Sequence, residues 1–223
     1  MKKAYWIAKY KKINNFISQN EINLIKNYTI FKHRKNITNF DFIQNNVGDT
    51  FFHGDPLTDS LLLSKLKLME ETCGKQLFPT YSFWRMYTIN ADLKKHKDRP
   101  ACEISATLTL DFEGDVWPIL MGANEDKSNA TEIKMNVGDA VLYRGCDIHH
   151  WREPYKEGKW QAQVFLHYVD QNGPHAEWKY DKRELLGISK TELTNQQFDV
   201  AYVMQGAISN SFCDNIIKEC IKD

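Results

Sequence analysis

The hydrophobic positions in the first third of the chain recur with the period of α-helices. A capping-box pattern, SQNE at 18–21, precedes apolar positions at helical spacing, so we predict a helix over about 19–28. A second helical stripe consists of Leu62, Leu63, Leu66 and Met69. Thr58 or Asp59 is the predicted N-cap of this second helix, and Gly74 stands where a C-terminal cap belongs.

From residue 80 onward the hydrophobic period changes to the alternation of β-strands. Residues 80–89 (TYSFWRMYTI) alternate in this way and are rich in aromatic side chains. Further strand-like runs, separated by turn residues, occupy 102–112, 116–121, 131–135, 139–144 and 160–169. Helices followed by short strands, without βαβ alternation, predict an α+β, mainly β fold: an antiparallel sandwich or jelly roll braced by N-terminal helices.

The length of 223 residues suits one domain with a short appendage. We place the domain at 1–185 and treat 186–223 as a C-terminal extension. Within the extension, the segment from Ile208 is similar to the segment from Ile17, since both begin a capped amphipathic helix. Two interpretations are open: the start of a second, similar domain, or a coincidence between two helix caps.

Charge and composition narrow the function classes. The 29 basic and 29 acidic side chains give a net charge of zero, and no nucleic-acid partner is expected because such proteins carry a basic excess. No apolar run reaches the length of a signal peptide or a membrane span, so we expect a soluble, cytoplasmic protein with no membrane partner. The five cysteines form no C-x-x-C pair, which indicates free thiols rather than disulfides or a structural zinc site.

Candidate metal ligands occur in the tripeptide HKD at 96–98. In an extended segment its first and third side chains point to one side, so an imidazole and a carboxylate could hold one face of a divalent metal. A lone H-x-D is more often an ordinary surface loop, and a third ligand must come from His149, His150, His167 or His175. The adjacent pair is best placed, because it follows the run at 139–144. Two histidines and one carboxylate with open positions are the ligands of non-haem Fe(II) oxygenases.

The order of these motifs resembles that of the 2-oxoglutarate/Fe(II)-dependent dioxygenases, and within them the prolyl-4-hydroxylase-like group. The pattern consists of H-x-D, about fifty residues, the dipeptide GD at 138–139, a strand, and H-x-x-x-P-x-x-x-G ending at Gly158. It spans about 16–170, or two-thirds of the chain. A combination of motifs is more specific than any one of them. The resemblance implies a double-stranded β-helix (jelly roll) core.

The resemblance also indicates which of the two adjacent histidines, His149 or His150, is the metal ligand. In this group a proline commonly lies four residues after the distal histidine ligand. Pro154 has that offset from His150, whereas it is five residues from His149. The implied metal ligands, which are also the catalytic residues, are therefore His96, Asp98 and His150.

Other residues match positions at which this group binds 2-oxoglutarate. Tyr87 lies nine residues before the first ligand, although ordinary sheet packing explains it equally well. Lys159 lies nine residues after His150, where the group has a cation for the distal carboxylate; a solvated surface lysine is the alternative. Arg152 and Arg144 are rivals for that role, because arginine offers a bidentate fork. Thr109 matches a position that often supplies a hydroxyl to the same carboxylate.

The implied activity is that of a hydroxylase using Fe(II), O2 and 2-oxoglutarate, with ascorbate as an optional reductant and succinate and carbon dioxide as products. A small-molecule or peptide substrate is expected, such as a peptidyl or free amino acid, proline among them. Two alternatives are a non-catalytic jelly-roll or cupin-like binding module and another metal-dependent enzyme. Neither the substrate nor the oligomeric state follows from the sequence.

Overall fold

The computed structural model describes residues 10–34, 50–122 and 130–187. Its α-helices are α1 (Gln19–Arg34) and α2 (Pro56–Cys73). The strands, in chain order, are β1 (Tyr10–Ile13), β2 (Thr50–His53), β3 (Leu77–Thr88), β4 (Leu93–His96), β5 (Ile104–Gly114), β6 (Ile119–Gly122), β7 (Thr131–Ile133), β8 (Ala140–Tyr143), β9 (His149–Arg152) and β10 (Gly158–Asp170). Short 3₁₀ segments lie at Pro100–Cys102 and Ala176–Lys182. All but two residues of the proposed extension at 186–223 lie outside the described ranges, so both interpretations of it remain proposals.

The predicted ends of the two helices are confirmed at two of the three caps. The Ser18 N–H donates to Glu21 Oε2 at 2.7 Å and the Glu21 N–H donates to the Ser18 hydroxyl at 3.3 Å, which is the reciprocal geometry of a capping box. Helix α1 continues to Arg34, beyond the predicted end at 28. At the end of α2, Gly74 has a φ of +71° and its N–H donates to the Glu70 carbonyl, as expected of a left-handed C-cap.

The predicted N-cap of α2 is wrong. Its N-cap is Asp55, whose carboxylate accepts a hydrogen bond from the Leu57 N–H at 3.0 Å. Thr58 and Asp59 lie buried within the first turn instead. The helix begins earlier because Pro56 occupies its first position, where a fixed φ and a missing N–H carry no penalty.

The strands form two antiparallel sheets. The six-stranded sheet has the order β1-β8-β5-β10-β3-β2, and the four-stranded sheet has the order β4-β9-β6-β7. All six predicted strand runs occur, as β3, β5, β6, β7, β8 and β10, with their ends shifted by a few residues. The α+β, mainly β class is therefore confirmed. Strands β1, β2, β4 and β9 were not predicted.

The two faces of the large sheet have different partners. Alternate residues of β5 and β10, such as Leu108 and Val164, are buried in one cluster with residues of both helices. On the other face, Val141 of β8 is buried with Met121 of the small sheet. Since side chains alternate along a strand, the remaining residues of β5 and β10 point away from the helices, and many are buried and polar: Ser105, Thr107, Thr109, Gln161 and Gln163. The fold thus places a polar layer on the sheet face opposite the helices.

Neither helix among the described residues has the length and apolarity needed to cross a membrane.

Candidate metal centre

Two histidines face each other across the small sheet. His96, the last residue of β4, is the antiparallel register partner of His150 in β9. Partners in register project to the same face of a sheet, and the two imidazole ring centroids lie 4.3 Å apart. His150 is buried and His96 is partly exposed. The pairing therefore brings together two residues that are 54 positions apart in the sequence.

Asp98 joins this pair just beyond the end of β4. Its backbone N–H donates to the Gly145 carbonyl at 2.9 Å, which fixes the segment against the turn that follows β8. A Cβ atom at position 145 would collide with the Asp98 carboxylate and with the Cys102 carbonyl. Gly145 is thus a residue of the site that the sequence did not single out; its only signal there is its position in the turn between the β8 run and the two adjacent histidines.

The three side chains converge to within reach of one ion. Asp98 Oδ1 lies 3.6 Å from His96 Nε2 and 3.4 Å from His150 Nε2. The three donor atoms all lie within 4.8 Å of one another. Neighbouring donors on a metal with bonds of about 2.1 Å lie roughly 3 Å apart, so a small contraction would bring the set to metal-binding distances.

The opposite edges of both imidazoles are held by main-chain carbonyls. His96 Nδ1 lies 2.7 Å from the Lys94 carbonyl, and His150 Nδ1 lies 3.2 Å from the Ile148 carbonyl. A carbonyl can only accept, so each Nδ1 carries a proton. An ion bound at the triad would replace any proton that Nε2 shares with the Asp98 carboxylate and would take the Nε2 lone pair. This outer arrangement fixes the tautomer and ring orientation of a metal-binding histidine.

The charge state of Asp98 also suits a metal ligand. Burial raises the pKa of its carboxyl, but hydrogen bonds and charge from His150 and His96 outweigh burial and hold that pKa well below its ordinary value. Burial lowers the pKa of His96, and the Asp98 carboxylate more than compensates, so that the pKa is raised overall. Asp98 is therefore anionic at neutral pH.

A cavity of about 300 Å³ opens beside the triad. Its walls are mainly aromatic and imidazole side chains, and they include His53, Tyr81, Phe83, Tyr87, Phe165 and His167. His167 is buried, which lowers its pKa to about 4, and it is therefore neutral at pH 7. The sequence interpretation of His167 as a core histidine agrees with its burial but did not anticipate its place in the cavity wall.

Arg152 is a buried cation on the strand that carries His150, and it is not among the residues that line the cavity. It lies two residues after His150 on β9 and is 1% exposed. Among the described residues its guanidinium donates one hydrogen bond, to the Trp117 carbonyl, while Nε and Nη2 have no partner. Burial lowers its pKa to about 10, against the raising effect of nearby tyrosines. A buried charge without a counterion is costly, so this position is suited to receive an anion.

Tyr87 and Thr109 lie in the same interior region. Tyr87 is buried, lines the cavity and stacks under Arg85, whose Cζ is 4.5 Å from the ring centroid. The Thr109 hydroxyl is buried and accepts a hydrogen bond from Gln163 Nε2 at 2.8 Å, and it belongs to the polar layer rather than to the cavity wall. Arg85 is a second buried arginine, for which the sequence analysis proposed no role.

The structure does not bring Lys159 to the cavity. Its side chain is 76% exposed and its amine is paired with Glu113 Oε1 at 2.5 Å. The register between β10 and β5 shifts between Gly158 and Trp160. A bulge of this kind re-aims the side chain of the extra residue, which explains why simple alternation from Gln161 does not carry Lys159 inward.

No protein-family model matches the chain, and no curated protein matches it. Solved structures do match. A prolyl-4-hydroxylase from Pseudomonas putida aligns with a TM-score of 0.58 and 13% identity, over 74% of this chain and 94% of the other. A viral collagen prolyl hydroxylase from Paramecium Bursaria Chlorella virus-1, in complex with 2-oxoglutarate, aligns at 0.52 and 16%, over 74% and 98%. HygX from Streptomyces hygroscopicus, with nickel and 2-oxoglutarate bound, aligns at 0.57 and 9%, over 74% and 84%.

This chain has the fold of the 2-oxoglutarate/Fe(II) oxygenases. The predicted likeness to their prolyl-4-hydroxylase-like group is therefore confirmed at the level of the fold. At identities of 9 to 16%, the likeness by itself does not extend to the activity, which has to rest on the residues of the site.

Proposed function

We propose that this chain is a 2-oxoglutarate- and O2-dependent Fe(II) oxygenase that hydroxylates a peptidyl or free amino acid or another small molecule. One observation carries the proposal: His150 of the His96–Asp98–His150 triad and Arg152 project from the same face of β9, and among the described residues Nε and Nη2 of this buried guanidinium have no hydrogen-bond partner. A metal site alone fits many enzymes. A metal site combined with a buried cation on the same strand is expected of an enzyme that also binds a dianionic co-substrate.

The donor set fits iron. Two imidazole nitrogens and one carboxylate oxygen, arranged on one side of the cavity, leave further coordination positions open, as in non-haem Fe(II) oxygenases. His96, Asp98 and His150 would hold the ion. With 2-oxoglutarate bound, Fe(II) supplies the activation of O2 that is coupled to decarboxylation of the co-substrate. The protein residues orient the ligands and exclude water from the cavity.

Arg152 is the proposed partner of the distal carboxylate of 2-oxoglutarate. Two residues of a strand advance by about 7 Å, a separation comparable to the length of a five-carbon diacid, so one end could reach the metal side while the other meets the guanidinium. The planar fork of arginine binds a carboxylate through two parallel hydrogen bonds. We propose Tyr87 and Thr109 as further hydroxyl donors to the co-substrate, and we retain no such role for the exposed Lys159.

The finer fold description is also a proposal. The two antiparallel sheets, with the triad on the smaller one, are consistent with the two halves of a double-stranded β-helix (jelly roll) core within a domain of residues 1–185. The neighbours include proteins named as prolyl hydroxylases, so free proline and prolyl peptides are the first substrates to test. A cavity of about 300 Å³ is at the small end of ligand pockets, which favours a compact target group.

Succinate formation from 2-oxoglutarate, measured with Fe(II) and ascorbate, tests this proposal. Wild type is expected to form succinate slowly even without substrate, and His96→Ala is expected to lose this turnover. His175→Ala is the matched control, because His175 does not line the cavity. A binding module would bind no 2-oxoglutarate, and another kind of metal enzyme would bind metal without it. Absence of both 2-oxoglutarate binding and succinate formation in wild type would overturn the proposal.

A further inference from the structure

We propose that Asp98, Cys102 and His167 form a second cation site, which takes a softer divalent ion such as Zn²⁺ or Co²⁺. One donor atom from each of these residues lies within 4.8 Å of the other two. All three residues line the same cavity. The proposal requires only this cluster, so it does not depend on the oxygenase activity proposed above.

The fold brings the three residues together from separate elements. Asp98 follows β4, Cys102 ends the 3₁₀ turn, and His167 lies on β10. The Ser105 hydroxyl connects them: its Oγ is 2.8 Å from His167 Nδ1, 3.4 Å from Asp98 Oδ2 and 3.0 Å from the Cys102 carbonyl. The Ser105 hydroxyl thus lies against the His167 ring, the Asp98 carboxylate and the main chain of Cys102, so the segment that carries Asp98 and Cys102 is held next to His167.

The two oxygens of Asp98 face different groups. Oδ1 is the atom near His96 and His150, whereas Oδ2 is directed toward the Ser105 hydroxyl. The carboxylate therefore offers one oxygen to each side. One ion can bind on the histidine side and another beside Cys102 and His167, with Asp98 as the shared ligand.

The donor types set the preference of the second site. A thiolate, an imidazole and a carboxylate are the ligands of zinc, and thiolate selects softer ions than the nitrogen and oxygen donors of the first site do. The Tyr81 hydroxyl lies 3.1 Å from Cys102 Sγ, from where it can donate a hydrogen bond to a thiolate. On binding, the S–H bond breaks, an S–metal bond forms and one proton leaves to solvent, with no change of oxidation state.

The five cysteines form no C-x-x-C pair, which argued against a structural zinc site. That rule addresses closed structural sites built from local pairs of cysteines. Here one cysteine is combined with a carboxylate four residues before it and a histidine 65 residues after it. Only the pairing of β10 with β5, which sets His167 opposite Ser105, brings the donors together.

Because Asp98 is shared, an ion in the second site should change the metal affinity of the first. An ion beside Cys102 withdraws charge from the carboxylate that completes the His96 and His150 site. Zn²⁺ is therefore expected to weaken Fe(II) binding through the shared carboxylate in addition to competing for the triad itself, and the part of the effect that depends on the second site should be lost in Cys102→Ser.

Cobalt spectroscopy tests the site directly, because a Co²⁺–thiolate bond gives an intense near-ultraviolet charge-transfer band that nitrogen and oxygen ligands do not give. Co²⁺ is titrated into the metal-free full-length chain, in a background in which Cys213 and Cys220 are replaced by serine. Cys102→Ser is compared with Cys146→Ser, a matched control whose half-buried thiol is not part of the cluster. A double variant, His96→Ala with His150→Ala, removes the first site alone. Thermal unfolding of each variant checks that it is folded.

The expected result is a charge-transfer band that wild type, Cys146→Ser and the double histidine variant share and that Cys102→Ser lacks. Zn²⁺ should displace the band, and Cys102→Ser should bind Zn²⁺ at this site roughly tenfold or more weakly, since even outer-shell partners contribute about 10–100-fold. No band in wild type, a band retained in Cys102→Ser, or a band lost in the double histidine variant would each overturn the proposal. If the band is present and 2-oxoglutarate does not bind, the oxygenase proposal fails and the second site stands.

Discussion

Arg152 follows His150 by two residues on β9, so its guanidinium projects from the same face of the strand as the imidazole. The imidazole is one of the three members of the triad. Among the described residues the guanidinium has only the Trp117 carbonyl as hydrogen-bond acceptor. An arginine on an inward face normally has a carboxylate partner. The two-residue spacing between His150 and this incompletely hydrogen-bonded cation is the basis of the proposed co-substrate site.

Arg152→Met is expected to weaken 2-oxoglutarate binding by at least about 30-fold, because losing one partner of a buried charge pair costs about 2–5 kcal/mol. The ligand-free variant should be at least as stable as wild type, since burial lowers the pKa of this guanidinium to about 10 and so disfavours the charged form. Titration calorimetry with an inert divalent metal measures the first effect, and thermal unfolding measures the second.

Lys159→Met is the matched control for that variant. The lysine lies nine residues after His150 but is exposed and paired with Glu113. Its replacement should leave the dissociation constant of 2-oxoglutarate unchanged within about a factor of two, because exposed ion pairs contribute little. A large loss in Lys159→Met, with none in Arg152→Met, would reverse the assignment of the anion site.

Gly145→Ala should weaken metal binding at the triad by roughly 10–100-fold, the range for residues that orient metal ligands. The added Cβ collides with the Asp98 carboxylate and the Cys102 carbonyl, and Asp98 must shift. Gly122→Ala is the control, because its Cβ would meet neighbours only at 3.6 Å and 3.7 Å. Equal metal affinity in the two variants would show that Gly145 does not position Asp98.

Asp55→Ala is expected to lower the free energy of unfolding by about 2–3 kcal/mol, more than the roughly 1 kcal/mol of a typical cap. The carboxylate caps α2 through Leu57 and also accepts from the Tyr28 hydroxyl and the Lys32 amine. Urea denaturation measures the change. Ser60→Ala, at an exposed position one turn into the same helix, should change the free energy of unfolding by less than about 0.5 kcal/mol. A loss as large as that of Asp55→Ala would contradict this account of the cap.

The strands that the sequence did not reveal are those that carry the triad. β4 (LKKH) and β9 (HHWR) are four residues long and hold charged or imidazole side chains at inward positions. Alternation of apolar and polar residues cannot detect such strands, because polar side chains occupy the inward positions at which that pattern needs apolar ones. The longer β3, β5 and β10 keep one apolar face against the helices, and their runs were predictable for that reason.

The convergence of His96, Asp98 and His150 could be predicted because the order of the motifs along the chain supplied information that the hydrophobic period lacked. The proposed anion partner could not be predicted, since its choice depends on a register shift beside Lys159 and on which buried cation has no acidic partner among the described residues. Both are properties of the packed sheets. The requirement for glycine at position 145 could not be predicted either. It arises because Asp98 lies too close to leave room for a Cβ atom, and no local sequence pattern indicates that contact.

The most direct test of the central claim is the thermal stability of the protein with Mn²⁺ under anaerobic conditions, with and without 2-oxoglutarate. At a hundred times its dissociation constant a ligand stabilises the folded state by about 2.7 kcal/mol, which corresponds to a rise in Tm of roughly 5–10 °C for a chain of this size. We predict this rise in wild type and in Lys159→Met, and its loss in His96→Ala and in Arg152→Met. An unchanged Tm in wild type, or an undiminished rise in both His96→Ala and Arg152→Met, would contradict the proposed iron and 2-oxoglutarate site.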